Sequence, residues 1–165
     1  MSCKSPRIFD DARMPEVAVN RHRNEPVIQF SVFTENRMGR LHDVIELFNE
    51  QNVHVLALTA LDTTDAAILR MIVDDADHAR ELLTENHFPF TESEILVVEI
   101  DSETKLKGVL SALLEAEVNI HYIYSFITQP QGRSALALSI EDTEVAITSL
   151  RQRQFKILFY HDLLR

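Results

Sequence analysis

The chain has 165 residues, 45% hydrophobic and 25% charged, with 26 acids against 16 Lys plus Arg, a composition that suits one medium globular domain or two small ones. A formal net charge of -10 opposes binding to nucleic acid or an anionic membrane, which both need clustered positive potential. Three glycines, Gly39, Gly108 and Gly132, exclude the Gly-rich phosphate cradles of dinucleotide and P-loop enzymes. Cys3 stands alone, so an internal disulfide framework and a multi-cysteine metal site are excluded and a reducing compartment is expected. No apolar run approaches the ~18 residues of a spanning helix, and residues 1–30 contain no signal-like apolar core. A cytoplasmic location is therefore expected.

Residues 1–26, with Pro6, Pro15 and Pro26 and mixed charges, predict a flexible tail. Alternation from Val27 to Phe33 predicts a strand with one buried face. After the loop at 34–39, Leu41, Val44, Ile45, Leu47 and Phe48 form one stripe of an amphipathic helix. Two apolar runs, 53–61 and 66–73, flank the polar cluster 62–65 and predict a hairpin. Asp74 or Asp75 then caps a helix with Ala79, Leu82 and Leu83 inside, and Phe88 and Phe90 close the unit as a short strand. The order recurs. Strands are expected at 95–100, 118–128 and 134–140, with a helix on Leu106, Val109, Leu110, Leu113 and Leu114. Asp142 or Thr143 caps a helix carrying Val145, Ala146 and Leu150, and Phe155, Ile157 and Phe159 alternate in a last strand.

A shift of 65 places Leu41 on Leu106, Val44 on Val109 and Val53 on Val118; after two extra residues in the second hairpin, Asp75 falls on Asp142 and Phe88 on Phe155. The fold expected is α+β: two tandem ferredoxin-like βαββαβ units, at 27–93 and 94–165, each an antiparallel sheet with its helices on one face. Units of this size share burial, and joining edge strands side by side would give an eight-stranded sheet.

The first strand-to-helix loop reads Thr34, Glu35, Asn36, Arg37, Met38, Gly39, Arg40, Leu41, and the helix is followed by Gln51, Asn52, Val53, His54, Val55. This pattern resembles the ACT domain, a small amino-acid-sensing module with a Glu-Asn-x-x-Gly-x-Leu loop and a Val-Asn-Ile entry to its second strand. The resemblance spans about 27–160 as two copies, and the first copy is similar to the domain of the regulatory subunit of acetolactate synthase. It implies a regulatory protein whose ligand lies between two domains, held by the loop of one and the asparagine of its neighbour. The chemistry is sensible: glycine admits close approach to the main chain, a helix N-terminus favours a carboxylate, and an amide side chain both donates and accepts.

Carried over by position, the implied ligand contacts are Asn36, Met38, Gly39, Arg40 and Leu41 in copy one and Asn119 in copy two. His54 replaces the asparagine of copy one, whereas copy two has Asp101 and Thr104 at its amide and glycine positions. One composite site per chain is expected. Leu41, Leu56, Leu58 and Tyr122 would line the side-chain pocket, which suits a branched-chain or aromatic amino acid. Asn36 and Gly39 also suit an ordinary turn, and Asn119 a strand start.

His54 and His121 lack a third partner at metal spacing, so neither a metal nor a cofactor is expected. Tyr122, Tyr124 and Phe126 read as a packed face, and Arg70, inside an apolar strand, must be paired with an acid such as Asp62, meet a ligand carboxylate or reach solvent. No nucleophile has a base placed beside it, so no catalytic residue is expected and the chain is read as a non-enzyme. The leading expectation is amino-acid sensing, with a homodimer or a biosynthetic enzyme as partner. The alternatives are an interaction module that has lost its ligand, or a regulatory subunit of an enzyme such as acetolactate synthase.

Overall fold

The computed structural model describes residues 25–35, 37–62 and 66–164. The tail expected at 1–26 lies almost wholly outside the described residues. The elements are β1 (Val27–Glu35), α1 (Arg40–Glu50), β2 (Val55–Asp62), β3 (Ala66–Val73), α2 (Ala76–Glu85) and β4 (Phe90–Ile100). They continue as α3 (Glu103–Glu115), β5 (Ile120–Ser125), β6 (Ser134–Ile140), α4 (Thr143–Gln152), β7 (Ile157–Leu158) and α5 (Tyr160–Leu163), with a 3-10 turn at Pro130–Gly132.

The sheet has seven strands in the order β2-β3-β1-β4-β6-β5, with β7 also on β4 and every pairing antiparallel. Each half therefore has the ferredoxin-like order. The two strands expected near 88–90 and 95–100 are one strand, because pairing is handed over without a break: β1 pairs through Val27↔Ile95, and β6 takes over at Leu96↔Leu138. The polar run Glu92, Ser93, Glu94 stays extended because its backbone has a partner in β1, a tertiary gain that overrides weak strand propensity. β4 is thus the last strand of one unit and the first of the next, and the sheet has seven strands where eight were expected.

The last strand is also shorter than expected. The chain turns after Leu158, where the Asp162 carboxylate accepts from Phe159 N at 2.9 Å and opens α5. Val145, expected inside, is 43% exposed, while Ala146 and Leu150 on the same helix are fully buried.

The repeat is written into the backbone. Asn52 and Glu117, 65 residues apart, both take positive φ, as do His87 and Gln154, 67 apart. Each lies where a helix ends, and the next residue closes the turn: Val53 N to Phe48 O at 2.9 Å, Val118 N to Leu113 O at 3.0 Å, Phe88 N to Leu83 O at 2.9 Å and Phe155 N to Leu150 O at 3.0 Å. This six-residue closure satisfies carbonyls that a helix end leaves open. Matching bulges interrupt β2 between Val55 and Ala57 and β5 between Ile120 and Tyr122. Asp75 and Asp142 cap α2 and α4 identically, each accepting at 3.0 Å from the amide three residues on.

Three apolar layers follow from strand alternation. Phe30, Val32, Leu69 and Met71 pack under α1 and α2, and Leu96, Val98, Leu136 and Leu138 pack under α3 and α4. The helix-free faces meet each other through Val27, Leu56, Ile72, Ile95, Val97, Tyr124 and Ala137. The sheet curls until its end strands touch, with Ala57 bridging Phe126 and Ile127 N donating to Leu56 O at 2.8 Å. The short α5 sets Leu163 into this shared layer, and Tyr160 N donates to Glu25 O at 3.0 Å.

Candidate functional site

Gly39 is the N-cap of α1, with φ 93 and ψ -20. That left-handed geometry is open to glycine and strained for a β-branched residue. It brings no side-chain acceptor, so the first amides of α1 are left to other partners; Asp43 N already donates to Gly39 O at 2.9 Å. Asn36 lies outside the described residues. Arg37 Nε pairs with Glu35 at 2.8 Å, Met38 is fully exposed, and the Arg40 guanidinium lies 5.6 Å from the centre of the Phe88 ring.

Two cavities flank this loop on the helix side of the sheet. One, of 210 Å³, runs between the start of α1 and the β2–β3 hairpin; Glu35, Arg37 and Arg40 stand at it with Leu41, Ala60 and Leu69. The other, of 420 Å³, shares Thr34, Glu35 and Arg40 but is bounded by Asn86, His87 and Phe88. Asn119 lines neither cavity. It is exposed, opens β5, and its carbonyl accepts from Glu141 N at 3.1 Å.

The pocket residues expected beside Leu41 are dispersed. Leu56 is buried between the sheet halves, Leu58 packs under the helices of the first half, and Tyr122 packs against the shared layer. The bulge in β2 is the reason, since it turns two successive residues, Leu56 and Ala57, to the same face.

His54, at the position of the missing asparagine, is committed elsewhere. Its amide donates to Asp74 Oδ1 at 2.7 Å, and its ring Nδ1 lies 2.7 Å from Asp74 Oδ2. Tyr160 from α5 donates to the Asp74 carbonyl at 2.7 Å, so this corner ties the end of the chain to the first half.

The second loop is organised differently. α3 spans 13 residues against 11 in α1, and by the shift of 65 it begins two positions earlier, so Thr104 lies inside its first turn. Ser102 caps it, accepting from Lys105 N at 3.3 Å, and Lys105 Nζ pairs with Asp101 at 2.6 Å. The lysine holds the Asp101 carboxyl below the usual carboxylate range. Glu99 stands where copy one has Thr34. It is 7% exposed, and burial pushes its carboxyl up, but bonds from Arg133 at 2.5 Å and Lys156 at 3.1 Å outweigh burial and bring it below its ordinary value. The acceptors and charges of this loop are satisfied within the chain.

A larger depression of 530 Å³ lies between α3 and α4, crossed by the Arg153–Glu115 ion pair. Its remaining lining is mainly polar helix surface, Glu144, Thr148, Ser149 and Gln152, with Ala116 and Val145 as the apolar part. Sequence reading missed Arg37 and Glu35 as charges at the loop cavity; their nearness to Gly39 in the chain was the available signal. No group of three or more His, Cys, Asp or Glu side chains that could hold a metal occurs among the described residues. No helix among them is long and apolar enough to cross a membrane.

The family model described as an ACT domain pair matches residues 26–163. Among solved structures, protein BT0572 from Bacteroides thetaiotaomicron is 28% identical, with 87% of this chain and 99% of that chain covered at a TM-score of 0.78. The ligand-free regulatory subunit of aspartate kinase from Thermus thermophilus shares the fold at 16% identity, covering 86% of this chain and 95% of that one with a TM-score of 0.58. The corresponding subunit from Thermus flavus is 17% identical, covering 78% and 93% with a TM-score of 0.53. No curated protein matches the sequence. With a repeat visible in caps, bulges and helix ends, and a family model spanning both halves, the chain belongs to the ACT domain pair family.

Proposed function

We propose that this ACT domain pair is a non-catalytic regulatory protein that binds one small aliphatic amino acid at the first loop. The observation that carries the reading is the 210 Å³ cavity beside Gly39, where Arg37 and Arg40, Glu35, and a floor of Leu41, Ala60 and Leu69 converge. The guanidinium groups and the first-turn amides of α1 suit the ligand carboxylate, and Glu35 suits its ammonium group. The volume is below the ~300 Å³ at which drug-sized pockets begin, a scale that favours a single amino acid. Domain one is taken as 27–93 and domain two as 94–165, which sets the boundary inside β4.

Asn36 would reach the ligand from the loop, and Asn119 from domain two of a second chain, since within one chain Asn119 lines neither loop cavity. A homodimer is the assembly this requires. Ligand at such a junction would favour one arrangement of the domains over another, which is what a regulator of an amino-acid biosynthetic enzyme needs.

Thermal unfolding of the full chain with each of the twenty amino acids tests the reading. A small aliphatic set should raise the midpoint by several degrees, as expected for about 2.7 kcal/mol at a hundredfold excess over Kd. Uniform silence would instead favour an interaction module that has kept the fold and lost the ligand; the exposed apolar side chains Leu110 and Leu114 on α3 support that second reading.

A further inference from the structure

Arg70 is a half-buried cation in β3 on the helix-free face of the sheet, the face opposite the loop cavity. Directly across from it are Ser31 in β1 and Thr59 in β2, so a guanidinium stands between two hydroxyl residues on one face. Its Cζ lies 4.0 Å from the centre of the Tyr122 ring, which comes from β5 in the other domain. Such stacking occupies the flat face of the guanidinium and leaves its N–H edge for a planar acceptor. Among the described residues no carboxylate lies within ion-pair distance of Arg70; its Cα partner in β2 is Thr59, whereas Asp62, the acid suggested by sequence, pairs with Ala67.

The surroundings of this cation are fixed in advance. Gln29, fully buried, donates from Nε2 to Tyr122 Oη at 2.8 Å, and Tyr124 Oη donates to Gln29 Oε1 at 2.8 Å. The same Nε2 lies 3.3 Å from both Ser31 Oγ and Ser93 Oγ. Nε2 has two hydrogens, so one serves Tyr122 and the two serine hydroxyls share the other, and each serine keeps its own hydrogen to donate elsewhere.

We propose that Arg70, Ser31 and Thr59, backed by Tyr122 and Ser93, form a second binding site that takes the carboxylate of a small molecule on the helix-free face between the domains. Arg70 supplies the bidentate fork and the hydroxyls supply the remaining donors. The site is distinct from the loop cavity and lies on the opposite face of the same strand: Leu69 lines the loop cavity and its neighbour Arg70 faces the other way. Because Arg70 and Tyr122 belong to different domains, occupation bears directly on how tightly the two halves are held.

The test titrates sodium succinate into the full chain against sodium chloride of equal ionic strength, following the Arg70 Nε–Hε and Tyr122 ring resonances. The expected result is a saturable shift of both, weakened at least tenfold in Arg70→Gln, weakened less in Arg70→Lys, and unchanged in Gly39→Val. A change that tracks ionic strength without saturating, or one that persists in Arg70→Gln, overturns the proposal and leaves Arg70 as a clamp between domains. Retention in Gly39→Val separates this result from the fate of the loop site. Should Arg70→Gln fail to fold, Ser31→Ala and Thr59→Val carry the same test, with severalfold weaker binding expected and unchanged affinity overturning the proposal.

Discussion

The two strand-to-helix loops occupy equivalent places in equivalent units, yet one starts its helix on a left-handed glycine beside a cavity and the other on a serine cap. In the first, a glycine with φ 93 starts the helix, Thr34 lies beneath it, and charges of both signs surround a 210 Å³ cavity. In the second, the helix begins two positions earlier under a serine cap, Asp101 is bound by Lys105, and Glu99 replaces the threonine and is held by two cations. The difference teaches how equivalent loops diverge within one fold: in the first, the pairs Arg37–Glu35 and Arg40–Asp43 sit at the surface beside a cavity, whereas in the second a cap and a buried carboxylate take their partners from the chain.

The largest effect is expected from Gly39→Val, which puts a β-branched residue at a left-handed position, a strain of about 1–3 kcal/mol. Amino-acid binding at the loop should be lost by calorimetry, while Thr104→Val, within a regular helix, leaves it unchanged. Next is Gln29→Ala at the junction of the halves. It strips the buried Tyr124 hydroxyl and the partly buried Tyr122 hydroxyl of a shared partner, and urea unfolding should show a loss of about 1–3 kcal/mol. Ser102→Ala removes the cap of the second loop and should cost about 1 kcal/mol without affecting ligand affinity; an equal effect on both would merge the two loops' roles.

The smallest effect concerns pH. Glu99 has a folded pKa below its ordinary 4.5, so its contribution is complete above that value and is lost as pH falls through the folded pKa. Glu92 in β4 behaves in the same direction because Arg80 hydrogen-bonds its carboxylate at 2.6 and 2.8 Å. Urea midpoints measured from pH 7 to pH 3 should therefore decline in acid, and Glu99→Gln should flatten part of the decline. An unchanged slope in that variant would mean the second loop is not held by this carboxylate.

Much of the fold was legible because it rests on local signals. Alternation marked β1, aspartate caps marked α2 and α4, and the shifts of 65 and 67 reappear in the left-handed residues that end the helices. The fusion of two strands into β4 was not legible, since Glu92, Ser93 and Glu94 are extended by pairing with β1 and not by their own preference. Nor was the curl of the sheet, which brings β2 against Phe126 and Ile127, or the burial of Gln29, a polar residue of β1 that bonds Tyr122 and Tyr124 of the other half. At the site, Gly39 announced itself by type and place. The dispersal of Leu56, Leu58 and Tyr122 could not be foreseen, because one extra residue in β2 changes which faces they share.

The central claim is that, of the two strand-to-helix loops, only the first binds an amino acid. Calorimetric titration of the amino acid that most raises the unfolding midpoint, into the full chain and into Gly39→Val, tests it directly. About one amino acid per chain is expected at the loop, with that binding lost in the variant; two equivalent loop sites per chain, or undiminished binding in Gly39→Val, would contradict the claim.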